Sequence, residues 1–195
     1  IMKKIVLFLL ITTISFAQNA DRKFIKIEKN SSGISVKVSD GNYLINFLND
    51  KIIETSFTPK GEKNNNPSEA VVLKNKLKNI SFKENKNSVE CSSKSSNLKI
   101  VIQKAPFKIT YFNNNVEIIS EKLGYFKKDS TDVIQFNLTS DEVLYGGGAR
   151  ALGMNRRGNK LALYNRADYG YETHSKLMNF TIPMVLSSKI YAVHF

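Results

Sequence analysis

Apolar side chains recur at every second position along much of this chain, and that two-residue period restricts the fold more than any other feature. It is clearest in Ile34-Ser35-Val36-Lys37-Val38, and it returns in Leu98-Lys99-Ile100-Val101-Ile102 and Phe107-Lys108-Ile109-Thr110-Tyr111. A further run is Val133-Ile134-Gln135-Phe136-Asn137-Leu138. Successive side chains of a strand point to opposite faces, whereas a helix brings every third or fourth residue to one face. Between the runs stand turn signals: Asp40-Gly41, Asn49-Asp50, Lys60-Gly61, Lys104-Ala105-Pro106 and Asn113-Asn114-Asn115. Many short strands without an amphipathic helix predict an all-β fold, a mostly antiparallel β-sandwich. Residues 61–67 hold nothing apolar to bury and are expected to be a mobile loop.

The first segment follows a different rule. Lys3 and Lys4 precede an apolar run that ends at Ser15-Phe16-Ala17, the pattern of a signal peptide over residues 1–17 with cleavage before Gln18. The run is shorter than the ~18 apolar residues of a membrane span and is interrupted by Thr12 and Thr13. An exported domain over residues 18–195, with no membrane attachment after cleavage, is the expectation. Cys91 is the single cysteine, so no intrachain disulfide can form and stability must come from a packed core. The remaining roughly 175 residues suffice for one such core. The net charge of +12 invites a nucleic-acid reading. The lysines are scattered singly rather than gathered in a basic stripe interleaved with aromatic residues, so no nucleic-acid partner is expected.

Near Asp141 the composition changes. Glycine, arginine and tyrosine become dense in Tyr145-Gly146-Gly147-Gly148-Ala149-Arg150 and Arg156-Arg157-Gly158, and loops of this kind carry function on a β scaffold. Two strands are expected after them, over 180–187 and 190–195. The last run stops in mid-alternation at Phe195, as a fragment of a longer protein would. Gly146, Gly148 and Ala151, with Asp168 further on, fit a loose dinucleotide-binding pattern. That pattern works only where a strand feeds a helix, and Gly153 and Gly158 interrupt the stretch that would have to be helical. His174 and His194 have no metal-ligand spacing with each other or with Cys91, and Ser175 lies in no nucleophile elbow. No cofactor or metal is expected.

Four pieces in fixed order carry a resemblance. Leu144-Tyr145-Gly146-Gly147-Gly148-Ala149-Arg150 is followed by Asn155-Arg156-Arg157-Gly158, then by Tyr164-Asn165-Arg166-Ala167-Asp168, then by Thr181-Ile182-Pro183-Met184. The segment 143–195 thereby resembles the end of the N-terminal domain of glycoside hydrolase family 31. Residues 24–138 agree with that family only as a strand-rich meander. The resemblance implies a galactose-mutarotase-like sandwich and an α-glucosidase-like parent enzyme acting on an α-linked oligosaccharide or glucoside. It also implies a catalytic barrel in cis beyond Phe195, which would hold both catalytic aspartates. Retaining hydrolysis needs two carboxyl groups about 5 to 5.5 Å apart. Asp40, Asp50, Asp141 and Glu142 read instead as solvated turn carboxylates, so this chain alone is expected to be inactive.

The resemblance implies one contribution to the substrate pocket. A loop after the Arg-Arg-Gly turn reaches the barrel mouth, and its acidic residue contacts sugar hydroxyls; Asp168 is the matching residue, with Arg166 and Tyr169 beside it. A carboxylate can accept two sugar hydroxyls and a tyrosine can flank the ring. The plainer alternative makes Asp168 a turn residue and Tyr169-Gly170-Tyr171 an interface with the barrel. Gly146, Gly147 and Gly148 are expected at positive φ in a tight crossing. Arg150, Arg156 and Arg157 are expected to brace it through carboxylates of the barrel. A stand-alone carbohydrate-binding sandwich is the competing reading, weakened by the lack of tryptophan.

Overall fold

The computed structural model describes residues 21–63, 71–73, 77–78, 80–167, 169–170, 175 and 177–195. The expected signal peptide and most of the expected loop at 61–67 lie outside the described residues. The strands are β1 (Phe24–Lys29), β2 (Gly33–Val38), β3 (Gly41–Phe47), β4 (Ile53–Pro59), β5 (Ile80–Glu84), β6 (Ser88–Ser93) and β7 (Leu98–Lys104). They continue with β8 (Phe107–Asn113), β9 (Val116–Lys128), β10 (Thr131–Asn137), β11 (Leu144–Gly146), β12 (Met184–Ser187) and β13 (Tyr191–His194). The described residues contain no helix.

Each strand pairs antiparallel with its neighbour in sequence, giving a four-stranded sheet β1-β2-β3-β4 and a six-stranded sheet β10-β9-β8-β7-β6-β5. A small third sheet has the order β11-β12-β13. Short turns suffice for such a meander. The β8–β9 hairpin turns on Asn114 (φ 49°) and Asn115 (φ 63°), and two positive φ values in succession match the right-handed twist of the strands they join.

The two larger sheets close face to face on one core. Ile34, Val36 and Val38 of β2 and Tyr43, Ile45 and Phe47 of β3 meet Ile80, Val89, Ile100, Ile102, Phe107 and Ile109 of the other sheet. These are the alternating residues of the sequence runs, while Ser35, Lys37 and Lys99 occupy the opposite faces. Cys91, which reads in sequence as an incidental residue of a Ser/Asn-rich stretch, is fully buried in this core. Burial pushes its thiol up to about 12, so it serves as a small packing residue.

The core also contains charge. Arg22, 3% exposed, donates two hydrogen bonds to Asp40 Oδ2 at 2.7 and 3.1 Å, and others to the Tyr43 hydroxyl and to the Tyr125 carbonyl at 2.6 Å. Its guanidinium lies 4.6 Å from the Phe57 ring centroid. Asp40 is therefore an ion-pair partner rather than a free turn carboxylate. Glu121 of β9 is 2% exposed; its Oε2 stands 3.5 Å from the Tyr43 hydroxyl and its Oε1 has no hydrogen-bond partner. A glutamate comes to be buried here because the register slips between Gln135, paired with Gly124, and Phe136, paired with Glu121. That bulge breaks the alternation and turns both Ser120 and Glu121 inward.

Two further expectations need correction. The run 180–187 is a strand only from Met184, because Pro183 has no N–H to give a ladder and the Phe180 carbonyl is taken by the Ala149 N–H at 3.0 Å. Glu142 is 3% exposed rather than solvated.

Burial raises the pKa of Glu121 to about 8 from an ordinary 4.5, although Arg22 and the Tyr43 hydroxyl act against the shift. The folded chain thus keeps a proton that the unfolded chain releases, and Glu121 costs stability progressively as pH rises from about 4.5 to about 8. Thermal unfolding of Glu121→Gln against pH should show the variant gaining on the parent sequence across that window. A difference independent of pH would contradict the assignment.

Candidate functional site

The third sheet and the long connection between β11 and β12 hold every residue singled out for function. Glu142 anchors this region just ahead of β11. Its carboxylate accepts hydrogen bonds from Ser187 Oγ at 2.5 Å, from the Tyr191 hydroxyl and from the Thr139 N–H at 3.1 Å. Burial alone would raise its pKa, but the Ser187 and Tyr191 hydrogen bonds outweigh it and hold the carboxyl below the ordinary glutamate value. One carboxylate so ties the start of the region to both of its last strands.

Gly146, Gly147 and Gly148 all adopt positive φ, at 103°, 79° and 87°, as the tight crossing required. At Gly148 space is also decisive. A Cβ there would stand 2.5 Å from the Thr181 Cα and 2.6 Å from the Phe180 carbonyl oxygen, so the returning backbone crosses directly over it.

Among the described residues the three arginines bond backbone carbonyls, and the barrel carboxylates expected to meet them lie outside this chain. Arg156 donates to the carbonyls of Gly146 and Gly153 at 3.2 and 3.0 Å, and Arg157 to those of Thr139 and Glu142 at 2.5 and 2.9 Å. Arg150 is 8% exposed and donates to the Ala162 carbonyl at 2.6 Å, while its Nε has no partner. Burial and the adjacent Arg156 lower its pKa. The connection folds back on itself, and polar side chains must satisfy carbonyls that no sheet ladder reaches.

The connection projects a loop. Asn165 Oδ1 accepts from the Thr181 N–H at 2.8 Å and from its hydroxyl at 3.0 Å, fastening the loop base to the segment entering β12. Asn165 stands in one of the four sequence motifs, but nothing local marks its role, because its partner lies 16 positions away. Beyond Asn165, Arg166 is exposed and Tyr169 is 98% exposed. Asp168 lies outside the described residues, as does His174. The structure places Arg166 and Tyr169 on one loop, and among the described residues neither meets a buried acid or base.

Among the described residues no group of His, Cys, Asp and Glu side chains could hold a metal ion. The buried carboxylates are Glu121, enclosed between the sheets, and Glu142, committed to Ser187 and Tyr191. The arrangement can present a loop to a ligand, and among the described residues it offers no catalytic carboxyl pair.

Replacement of Gly148 by alanine should cost at least about 2 kcal/mol, since positive φ and a backbone clash act together. Gly158→Ala should cost only about 1 kcal/mol, because Gly158 has φ 77° but open space around it. Urea denaturation of the two variants separates these costs; equal losses would show that the crossing is not tight.

No curated protein matches this chain. Among solved structures, a family 31 dextranase from Flavobacterium johnsoniae, complexed with isomaltotriose, superposes with TM-score 0.80 at 20% identity, over 89% of this chain and 22% of that one. The cycloalternan-forming enzyme of Listeria monocytogenes gives TM-score 0.69 at 16% identity, covering 89% and 17%. A family 31 α-xylosidase from Xanthomonas citri gives 0.65 at 20%, covering 86% and 18%. At these identities the likeness establishes the fold, and the chain spans about a fifth of each neighbour's length. The sequence profile of the glycosyl hydrolase 31 N-terminal galactose mutarotase-like domain matches residues 42–195, far beyond the motif-bearing end. With four fifths of its length inside that profile, the chain belongs to glycoside hydrolase family 31, as its N-terminal galactose-mutarotase-like domain.

Proposed function

We propose that this chain is the N-terminal accessory domain of an exported, retaining α-glucosidase-like enzyme. Its third-sheet end packs against a catalytic barrel in cis, and the loop around Asp168 lends contacts to the substrate pocket. The observation that carries the reading is where apolar surface lies. All core side chains fall between Ile34 and Ile109. By contrast Met154, Leu163, Tyr164, Phe180, Ile182 and Ile190, all in the motif-bearing segment 143–195, are 44 to 96% exposed. Concentrated exposed apolar surface marks a contact with another protein surface. The neighbours are named for dextran, xyloside and glucoside chemistry, which supports an α-linked sugar as the substrate class.

In this reading the domain supplies binding, and the barrel supplies the nucleophile and the acid/base. Asp168 accepts hydroxyls of the bound sugar, flanked by Arg166 and Tyr169. The purified chain should not turn over aryl α-glucosides, whereas the parent enzyme should; hydrolysis by the chain alone would sink the proposal. In the parent, Asp168→Ala should raise KM or lower kcat, and no change in either would remove Asp168 from the pocket.

Export is part of the proposal and rests on the residue pattern of positions 1–17. N-terminal sequencing of the protein from the periplasm or medium should begin at Gln18. Recovery of the protein from the cytoplasm with Lys3 and Lys4 intact would refute it.

A further inference from the structure

Arg150 is an uneconomical residue for stability alone. It is a buried cation, no carboxylate among the described residues pairs with it, and its Nε finds no acceptor. Desolvating a charge and leaving a donor unpaired both oppose folding, and an apolar side chain of similar length would fill the same space without either penalty. The strongest contact its head group makes is with a loop carbonyl, Ala162, at 2.6 Å. Asn165 complements it three positions further along, accepting both polar hydrogens of Thr181.

Both contacts end on the same joint. Ala149, next to Arg150, donates its N–H to the Phe180 carbonyl at 3.0 Å, and Thr181 follows Phe180 directly. The base of the loop is therefore pinned at Ala162 and at Asn165 to a single backbone crossing, the one that Gly148 makes possible. Just past Asn165, Arg166 and Ala167 are exposed, and Tyr169 is 98% exposed.

We propose that Arg150 and Asn165 are positioning residues for the substrate loop: they set where residues 161–167 lie, and through them where Arg166 and Tyr169 are presented to the sugar. This rests on the loop contact proposed above. A displacement of the order of 1 Å in a substrate-contacting group is enough to weaken binding severely. A buried guanidinium that adds little to stability can thus still govern affinity.

The test uses the full-length parent enzyme and whichever aryl α-glycoside it hydrolyses, with KM, kcat and Tm measured for each variant. Arg150→Met should leave Tm unchanged or higher and raise KM about tenfold, the loss of one hydrogen bond to a fixed carbonyl, with a smaller effect on kcat. Asn165→Leu should raise KM similarly, and Asn165→Asp, which keeps the acceptor for Thr181, should restore it. A fall in Tm for Arg150→Met that parallels its kinetic loss would assign Arg150 to structure and overturn the proposal. So would equal KM for Asn165→Leu and Asn165→Asp. Arg166→Ala and Tyr169→Ala report on the loop contact itself. If they leave KM unchanged, the loop does not touch sugar and the underlying reading falls together with the positioning role. If they raise KM while Arg150→Met and Asn165→Leu do not, only the positioning role falls.

Discussion

The structure depends on the closure of two sheets over one apolar core, and on Arg22 holding that closure at one edge. The guanidinium reaches from the chain just before β1 to Asp40 in the β2–β3 turn and to the Tyr125 carbonyl on the opposite sheet. It also lies against Phe57 and bonds the Tyr43 hydroxyl. Arginine suits this place because its planar fork can serve a carboxylate, a hydroxyl and a carbonyl together while its face meets an aromatic ring. Residues 21–41 precede the part matched by the family profile, yet β1, β2 and Arg22 are integral to the sandwich.

Charge is used differently in the two parts of the molecule. Between the large sheets, Glu121 is buried with one oxygen unpaired and holds its proton far above the usual range. Beside the third sheet, Glu142 is equally buried but surrounded by donors, and its pKa falls. The difference is one of hydrogen bonding, since both pay the same kind of desolvation penalty. Glu142 thereby gains the capacity to bind strands together, whereas Glu121 makes the sandwich sensitive to pH.

The third sheet needs such ties because it has no core of its own among the described residues. Its apolar side chains are mostly half-buried, those of the connection such as Met154, Leu163 and Tyr164 are exposed, and the connection is held by arginines donating to carbonyls and by an asparagine accepting from Thr181. A region assembled from polar staples around a glycine crossing can keep a fixed shape while leaving its apolar side chains available to a neighbouring domain.

The sequence by itself determined the fold class and the family. A period of two is a local property of the chain, visible wherever strand faces differ in polarity, and the four motifs keep their order without any knowledge of contacts. The strand over Ile34 to Val38, the asparagine turn before Val116 and the glycine crossing were all legible for that reason. Tertiary structure alone decided the fate of individual polar groups. Nothing local distinguishes Asp40 and Glu142 from solvated turn acids; their partners, Arg22 and Ser187, lie 18 and 45 positions away. Glu121 is buried by a register slip that no alternation pattern announces, and Arg150 and Asn165 acquire their contacts only when the chain returns over Gly148. Side-chain periodicity is written residue by residue, whereas desolvation and pairing depend on which distant segments the closed sheets bring together.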